Sequence, residues 1–246
     1  MGTTAPARTP QRGGDTMRYS ALVAGVLYLV TFVTSIPTLL LYEPVLDHTD
    51  FVLGAGDARS ALWGAFLEVI LALSCVGTAV ALFPVARRYS ETAAIGFVSS
   101  RVLEAGLILV GASTVLSVVT LRQGGAGAGT DSASLITAGR TLVAVHDATF
   151  LLGQSLMPVV NALFLGSVLY RSGLVPRIIP LVGFVGAPLL LASDIAILFG
   201  VYAQHTPLAG LAAFPIALWE LSLGTWLAIK GFRLPQRTAP AAQEDR

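Results

Sequence analysis

Residues 60–84 read SALWGAFLEVILALSCVGTAVALFP, and Glu68 is the one charged side chain in the run. The hydrocarbon core of a bilayer is about 30 Å thick and takes about 20 apolar residues of helix, so the stretch is long enough to cross. Lipid offers no water to backbone N–H and C=O groups, which must then be paired within the segment, and a helix is the expected form. Pro84 falls at the end of the run and does not interrupt it.

Comparable runs lie on both sides: about 20–42 before it, and about 93–120, 141–170, 177–201 and 208–231 after it. The expected fold is therefore an all-α polytopic bundle of six transmembrane helices spanning residues 19–232. A disordered segment, 1–18, precedes it and a disordered tail, 233–246, follows. Run 141–170 is long for one span and lacks an internal turn signal, so tilt or an extension into the interface is expected. Composition agrees: of 246 residues, 54% are hydrophobic and 12% charged, with a mean hydropathy of +0.76, too apolar for a wetted globular surface. The lipid bilayer is the expected partner. The net charge of +1 provides no basic excess for phosphate, so nucleic acid is not expected to bind.

Lys and Arg positions orient the bundle. The head, the second and fourth connections and the tail hold Arg8, Arg12, Arg18, Arg87, Arg88, Arg171, Arg177, Lys230, Arg233, Arg237 and Arg246, against Arg59, Arg122 and Arg140 on the other side. Both termini are expected in the cytoplasm of a bacterial cell, with the protein in its plasma (inner) membrane and the first run a retained signal anchor. Connection 121–140 contains Gly124, Gly125, Gly127 and Gly129 but no Gly-Lys-Ser/Thr ending; it reads as a flexible linker and not as a phosphate loop. Cys75 is the single cysteine, which excludes an internal disulfide and a cysteine-based metal cluster and reads as a core hydrophobe.

Function has to be sought among the ionisable groups inside the spans: Glu68, Arg101, Glu104, Asp147, Asp194 and Glu220. Each costs about 2.5–3.5 kcal/mol at mid-bilayer on insertion scales and needs compensation. Helical periodicity places Glu68 with Ala72, Cys75 and Ala79, and Glu220 with Ala213, Ala217 and Gly224. Such small-residue faces are helix contacts, so the acids are expected to point inward. Asp147, Gln154, Pro158 and Asn161 form a polar stripe on helix 4. His146 stands beside that stripe, either paired with an acid or facing headgroup water. Arg101 and Glu104, three apart, are expected to pair, leaving four acids without a fixed cation. Helix 1 carries no acid on a packing face and is expected to be a peripheral anchor.

Two functional readings follow. In the first, the polar core binds or moves a cation, a proton or a small amine-like solute. In the second, the carboxylates only make interhelical contacts in a structural or assembly protein. Enzyme activity is not expected, since His-Glu-x-x-His and Gly-x-Ser-x-Gly are absent from the sequence. No cofactor and no metal site is expected, and neither the solute nor the oligomeric state follows from the residues. The segments AGVLYLVTFVTSIP (24–37), GAFLEVILAL (64–73), RVLEAGLILVG (101–111), LVAVHDATFLLGQSLMPVVNALFLGSVLYRSGLVPR (142–177) and FPIALWELSLGTWLAIKGF (214–232) resemble a bacterial membrane family known as the domain of unknown function 4386 family. The resemblance covers about residues 19–232. It implies a multi-span protein and no particular chemistry.

Overall fold

The computed structural model describes residues 12–124 and 131–233. Six helices account for most of them: α1 (Arg12–Leu46), α2 (Ala58–Ala86), α3 (Glu91–Gly124), α4 (Ser132–Ser172), α5 (Ile178–Leu198) and α6 (Pro207–Ile229). No strand occurs among the described residues. All six helices are long and apolar enough to cross a membrane, which places the chain in the multi-pass membrane class.

Local chemistry sets the helix ends. Asp57 accepts the Arg59 N–H at 2.9 Å to start α2, Asp131 accepts the Ser134 N–H at 3.2 Å to start α4, and Thr206 caps α6 ahead of Pro207. Gly173 ends α4 with φ at +65° and Gly231 follows α6 at +70°, a conformation that side chains with a Cβ rarely adopt. Two expected boundaries move. Helix α1 begins at Arg12, so residues 12–18 are helical and not disordered. The expected linker 121–140 contracts, because α3 runs to Gly124 and α4 starts at Ser132. Residues 1–11 and 234–246 of the expected disordered ends lie outside the described residues, as do Gly125, Gly127 and Gly129. At 41 residues, α4 is about 60 Å long, twice the hydrocarbon thickness, so it extends beyond the bilayer core.

Each helix packs on the next in sequence, and α6 packs back on α1, closing a ring. The expectation of a peripheral first helix is thereby overturned. Two glycines allow the closure. A Cβ on Gly25 would lie 2.7 Å from the Gly224 carbonyl, and one on Gly224 would lie 2.8 Å from the Tyr28 Cβ. The two backbones touch, and any side chain at either position would force them apart.

The ring is filled unevenly. In its proximal half, where Met17 and Phe232 join the core, all six helices contribute to one apolar cluster that includes Tyr28, Leu82, Phe97, Leu165, Trp219 and Leu223. In the distal half, a second apolar cluster joins α1, α2, α3 and the first loop around Tyr42, Phe51, Ala61 and Val115, with Leu142 of α4 packed against it. Arg122 at the end of α3 secures that loop by donating to the carbonyls of Gly54, Ala55 and Gly56 at 2.6–3.0 Å and stacking over Phe51. The remaining distal interior is hollow.

Helix α4 is α-helical over Ser132–Phe150 and Leu156–Ser172 and takes a π turn over Leu151–Ser155, in which the Leu156 N–H bonds the Leu151 carbonyl. Pro158 supplies the cause. It has no N–H for the carbonyl four residues back, and its ring crowds the preceding turn, which widens in response. One extra residue in the turn shifts the phase of everything before it. His146 then stands in the inward register of Gln154, with a side chain 3% exposed, while Asp147 rotates outward to 44%.

Replacing Gly25 or Gly224 with leucine is expected to lower the thermal unfolding temperature markedly, through an overpacking cost of about 1–3 kcal/mol or more. Gly210→Leu on the same helix α6 meets nothing within 4 Å and is the matched control, expected to leave stability nearly unchanged. In a Cys75→Ala background purified in detergent, Asp147→Cys should react readily with a polar maleimide and His146→Cys slowly. Equal labelling would contradict the phase set by the π turn.

Candidate functional site

Arg101 lies near the middle of the ring, at the boundary between its packed and hollow halves, with its side chain 1% exposed. Its Nη1 donates to Glu104, one turn along α3, at 3.0 and 3.1 Å, and its Nη2 donates to Glu220 on α6 at 2.9 Å. The guanidinium also lies over the Tyr28 ring at 4.8 Å, so α1, α3 and α6 meet on one cation. Glu104 is further held by Asn161 of α4, whose Nδ2 donates to Oε2 at 2.7 Å, and Asn161 in turn accepts from Ser100. The Cys75 Sγ sits 3.7 Å from Glu104 Oε1 and 3.6 Å from Arg101 Nη1. Five of the six helices thus contribute a group to this cluster.

Above the cluster is a cavity of about 300 Å³, lined from all six helices. Arg101, Glu104 and Glu220 are its charged residues. Thr31, Ser35, Gln154 and Ser155 add polarity, and Phe32, Leu71, Ile108, Leu190 and Ile216 give it largely apolar walls. A second cavity of about 360 Å³ adjoins it on the distal side and contains Glu43, Asp47, Glu68, His146 and His205. Ser35, Leu39, Phe150 and Gln154 line both, forming the neck between them. Phe150 and Gln154 flank and occupy the π turn, so the irregular part of α4 lies where the two spaces meet.

Glu68 is the centre of the distal cavity. Tyr42 donates to its Oε2 and Gln154 to its Oε1, both at 2.9 Å. The His146 ring stands edge-on to Tyr42 with centroids 5.5 Å apart, and Phe150 lies between His146 and His205. These contacts place His146 inside the protein and not at the headgroups.

The nine residues singled out in the sequence therefore divide. Arg101, Glu104, Asn161 and Glu220 form the central cluster, and Glu68, His146 and Gln154 form the distal one. Asp147 belongs to neither: it is half-exposed, touches His146 at 3.4 Å and lines a smaller hollow with His48 and Arg140. Asp194 is buried but accepts from Ser155 at 2.6 Å and lines neither cavity. The expected pairing of Arg101 with Glu104 alone is also corrected, since the same guanidinium serves Glu220. Cys75 is more than a core hydrophobe, because its thiol lies against both charges.

Tyr28, Tyr42, Ser100 and Ser155 are not among the residues the sequence singles out, and Cys75 is not singled out there as part of the site. A signal for two of them exists in α1, where Tyr28, Thr31, Ser35, Thr38 and Tyr42 recur at alternating spacings of three and four. That is the period of a helix seam facing its neighbours. All but Ser35 are buried, and the three threonine-type positions 31, 34 and 38 return their hydroxyls to carbonyls of their own helix. The stripe is polar in composition and compatible with burial.

No curated protein and no solved structure matches the chain. A family model does match, over residues 23–231, from within α1 to just past the end of α6, and it takes in every residue of both clusters. The chain belongs to the family described as Domain of unknown function (DUF4386).

Proposed function

We propose that the protein is a membrane carrier or sensor that binds a cation, a proton or a small amine-like solute in the acidic hollow of the ring. The observation that carries this reading is the floor of the central cavity, where two carboxylates, Glu104 and Glu220, share one guanidinium. That set has an excess of one negative charge, in a cavity whose low-dielectric walls strengthen attraction for a cation. The distal cavity, with Glu68, His146 and His205, extends the acidic path toward the end of the bundle remote from Met17 and Phe232.

The bias of Lys and Arg supports a placement with both termini cytoplasmic. Arg87, Arg88, Arg171, Arg177 and Lys230 all lie at the proximal ends of helices or in the connections there. The hollow half then faces the outside of a bacterial plasma membrane, and a solute arriving there passes Glu43 and Asp47 before the neck at Gln154.

A structural role is the competing reading, and the Asp194–Ser155 bond favours it, since that acid joins two helices and itself lines neither cavity. Interhelical hydrogen bonds of this sort contribute about 0.6–2 kcal/mol.

Purified protein is expected to gain thermal stability with some cation or with a change of pH. Glu104→Gln and Glu220→Gln should reduce that gain, and a flat response across metal cations, amines and pH would contradict the proposal. Arg101→Met leaves two buried carboxylates facing each other and is expected to cost about 3–5 kcal/mol of stability. The triple variant Arg101→Met, Glu104→Gln, Glu220→Gln should recover much of it, because the isolated charges are gone. Under the binding reading the recovered protein no longer responds to ligand; under the structural reading its cellular role survives.

A further inference from the structure

The binding reading leaves three kinds of occupant, and the shape of the central cavity distinguishes them. We infer that its occupant is a protonated amine with an apolar body, whose ammonium group contacts Glu220 and whose hydrocarbon part fills the space between α1, α2, α3 and α5. This rests on the reading of the hollow as a cation site and makes it specific.

The two carboxylates at the floor are not equivalent. Glu104 is saturated: Oε1 faces Arg101 and the Cys75 thiol, and Oε2 accepts from Arg101 and Asn161. Glu220 reaches Arg101 through Oε1, and its side chain keeps 13% exposure against 6% for Glu104. An ionised carboxylate has about four lone-pair directions, so Glu220 retains acceptor capacity on the side that lines the cavity. An ammonium group, with three donors and one charge, matches that capacity and cancels the excess charge of the cluster.

The walls favour an organic cation over the other occupants. Beyond the floor the cavity is bounded mainly by Phe32, Leu71, Ile108, Leu190 and Ile216, and Thr31, Ser35, Gln154 and Ser155 are the four uncharged side chains that bring oxygen to it. A hard divalent cation requires about six or more oxygen ligands, and no group of three or more His, Cys, Asp or Glu residues among the described residues is arranged to hold a metal. A proton alone would need no space, whereas about 300 Å³ is available, the lower end of the range for small-molecule pockets. An anion would meet the net negative charge, and both terminal nitrogens of Arg101 are already engaged by carboxylates. An apolar body is favoured because it removes hydrocarbon wall from water while the acid fixes its orientation. Ile36 and Leu39 on α1 line the cavity while 58% and 52% exposed, so its wall is thinnest on the α1 side.

The test is a thermal-stability titration of the full chain in detergent. The probes are cyclohexylmethylamine, its uncharged counterpart cyclohexylmethanol, sodium chloride and magnesium chloride, each over a range of pH. The amine is expected to raise the unfolding temperature dose-dependently where it is protonated, and the alcohol and the salts are not. Glu220→Gln should weaken the apparent amine affinity by about tenfold or more, the loss of a charge-assisted contact. Ala217→Leu narrows the cavity while leaving all three charged residues in place, and should abolish the amine shift even if the Glu220 variant fails to fold. Stabilisation by metal salts or pH with no advantage of amine over alcohol would overturn the inference and leave the broader cation reading intact. No response to any probe would overturn both. An amine shift that persists in Ala217→Leu would place the ligand elsewhere and overturn the inference.

Discussion

A guanidinium buried in the middle of an apolar bundle has to be surrounded by acceptors, and the architecture follows from where they come. Arg101 takes Glu104 from its own helix and Glu220 from the last helix, and stacks on Tyr28 from the first. Because α6 must reach α3 across the interior and α1 must bring an aromatic face to the same point, the ring has to close tightly at α1–α6. The Gly25–Gly224 contact allows this: without side chains there, Tyr28 and Glu220 approach the same cation. The closure and the charge cluster are therefore two aspects of one constraint. A buried charge left without a partner is costly, whereas a well-paired one fixes the register of the helices that supply its partners.

The same constraint accounts for the uneven filling of the ring. On the proximal side, Trp219, Phe97 and Leu165 pack fully and leave little free space. On the distal side the helices carry smaller or polar inward residues, such as Thr31, Ser35, Ala213, Ala217 and Ser155, and these cannot fill the volume. Apolar contact resumes between α1, α2 and α3 under the first loop, where Leu142 of α4 joins it. The result is a bundle sealed at one end and hollow toward the other, with its charges at the junction. Such an arrangement suits a dead-end site reached from one side, and any passage to the proximal face would require repacking of the sealed half.

Most of the architecture was legible in the sequence, because hydropathy over six long runs leaves few alternatives in lipid. The inward direction of Glu68 and Glu220 was also legible, through the small residues that share their faces. Two features were not. Helix α1 carries no acid on a packing face and so reads as an anchor, but its inward seam is made of tyrosine and threonine: Thr31 and Thr38 return their hydroxyls to their own helix, Tyr42 donates to Glu68, and Tyr28 presents its ring to Arg101. On α4 the stripe through Asp147 assumed an uninterrupted helix. The π turn before Pro158 inserts one residue and exchanges Asp147 for His146 at the inner face. Regular periodicity cannot reveal such a shift; the proline was visible, but its effect on the turn before it depends on packing. Gly153, for example, brings the π turn against the Leu107 side chain, where a Cβ would lie 2.7 Å away.

The stoichiometry of the central cluster bears on whether these acids are only structural. An interhelical link between α3 and α6 is complete with one carboxylate for one guanidinium, and Arg101 with Glu220 would suffice. Glu104 adds a second buried acid, with Asn161 and Ser100 arranged behind it to hold it. That support makes Glu104 the fixed counter-ion of Arg101 and leaves Glu220, bound through one oxygen, as the acid with capacity to exchange partners. A cluster built only for rigidity gains nothing from a surplus carboxylate at a cavity wall, because an uncompensated charge in low dielectric lowers stability. A cluster built to accept a cation requires one. The surplus is located at Glu220, the more exposed of the two acids that line the cavity, and that coincidence favours the binding reading over the structural one.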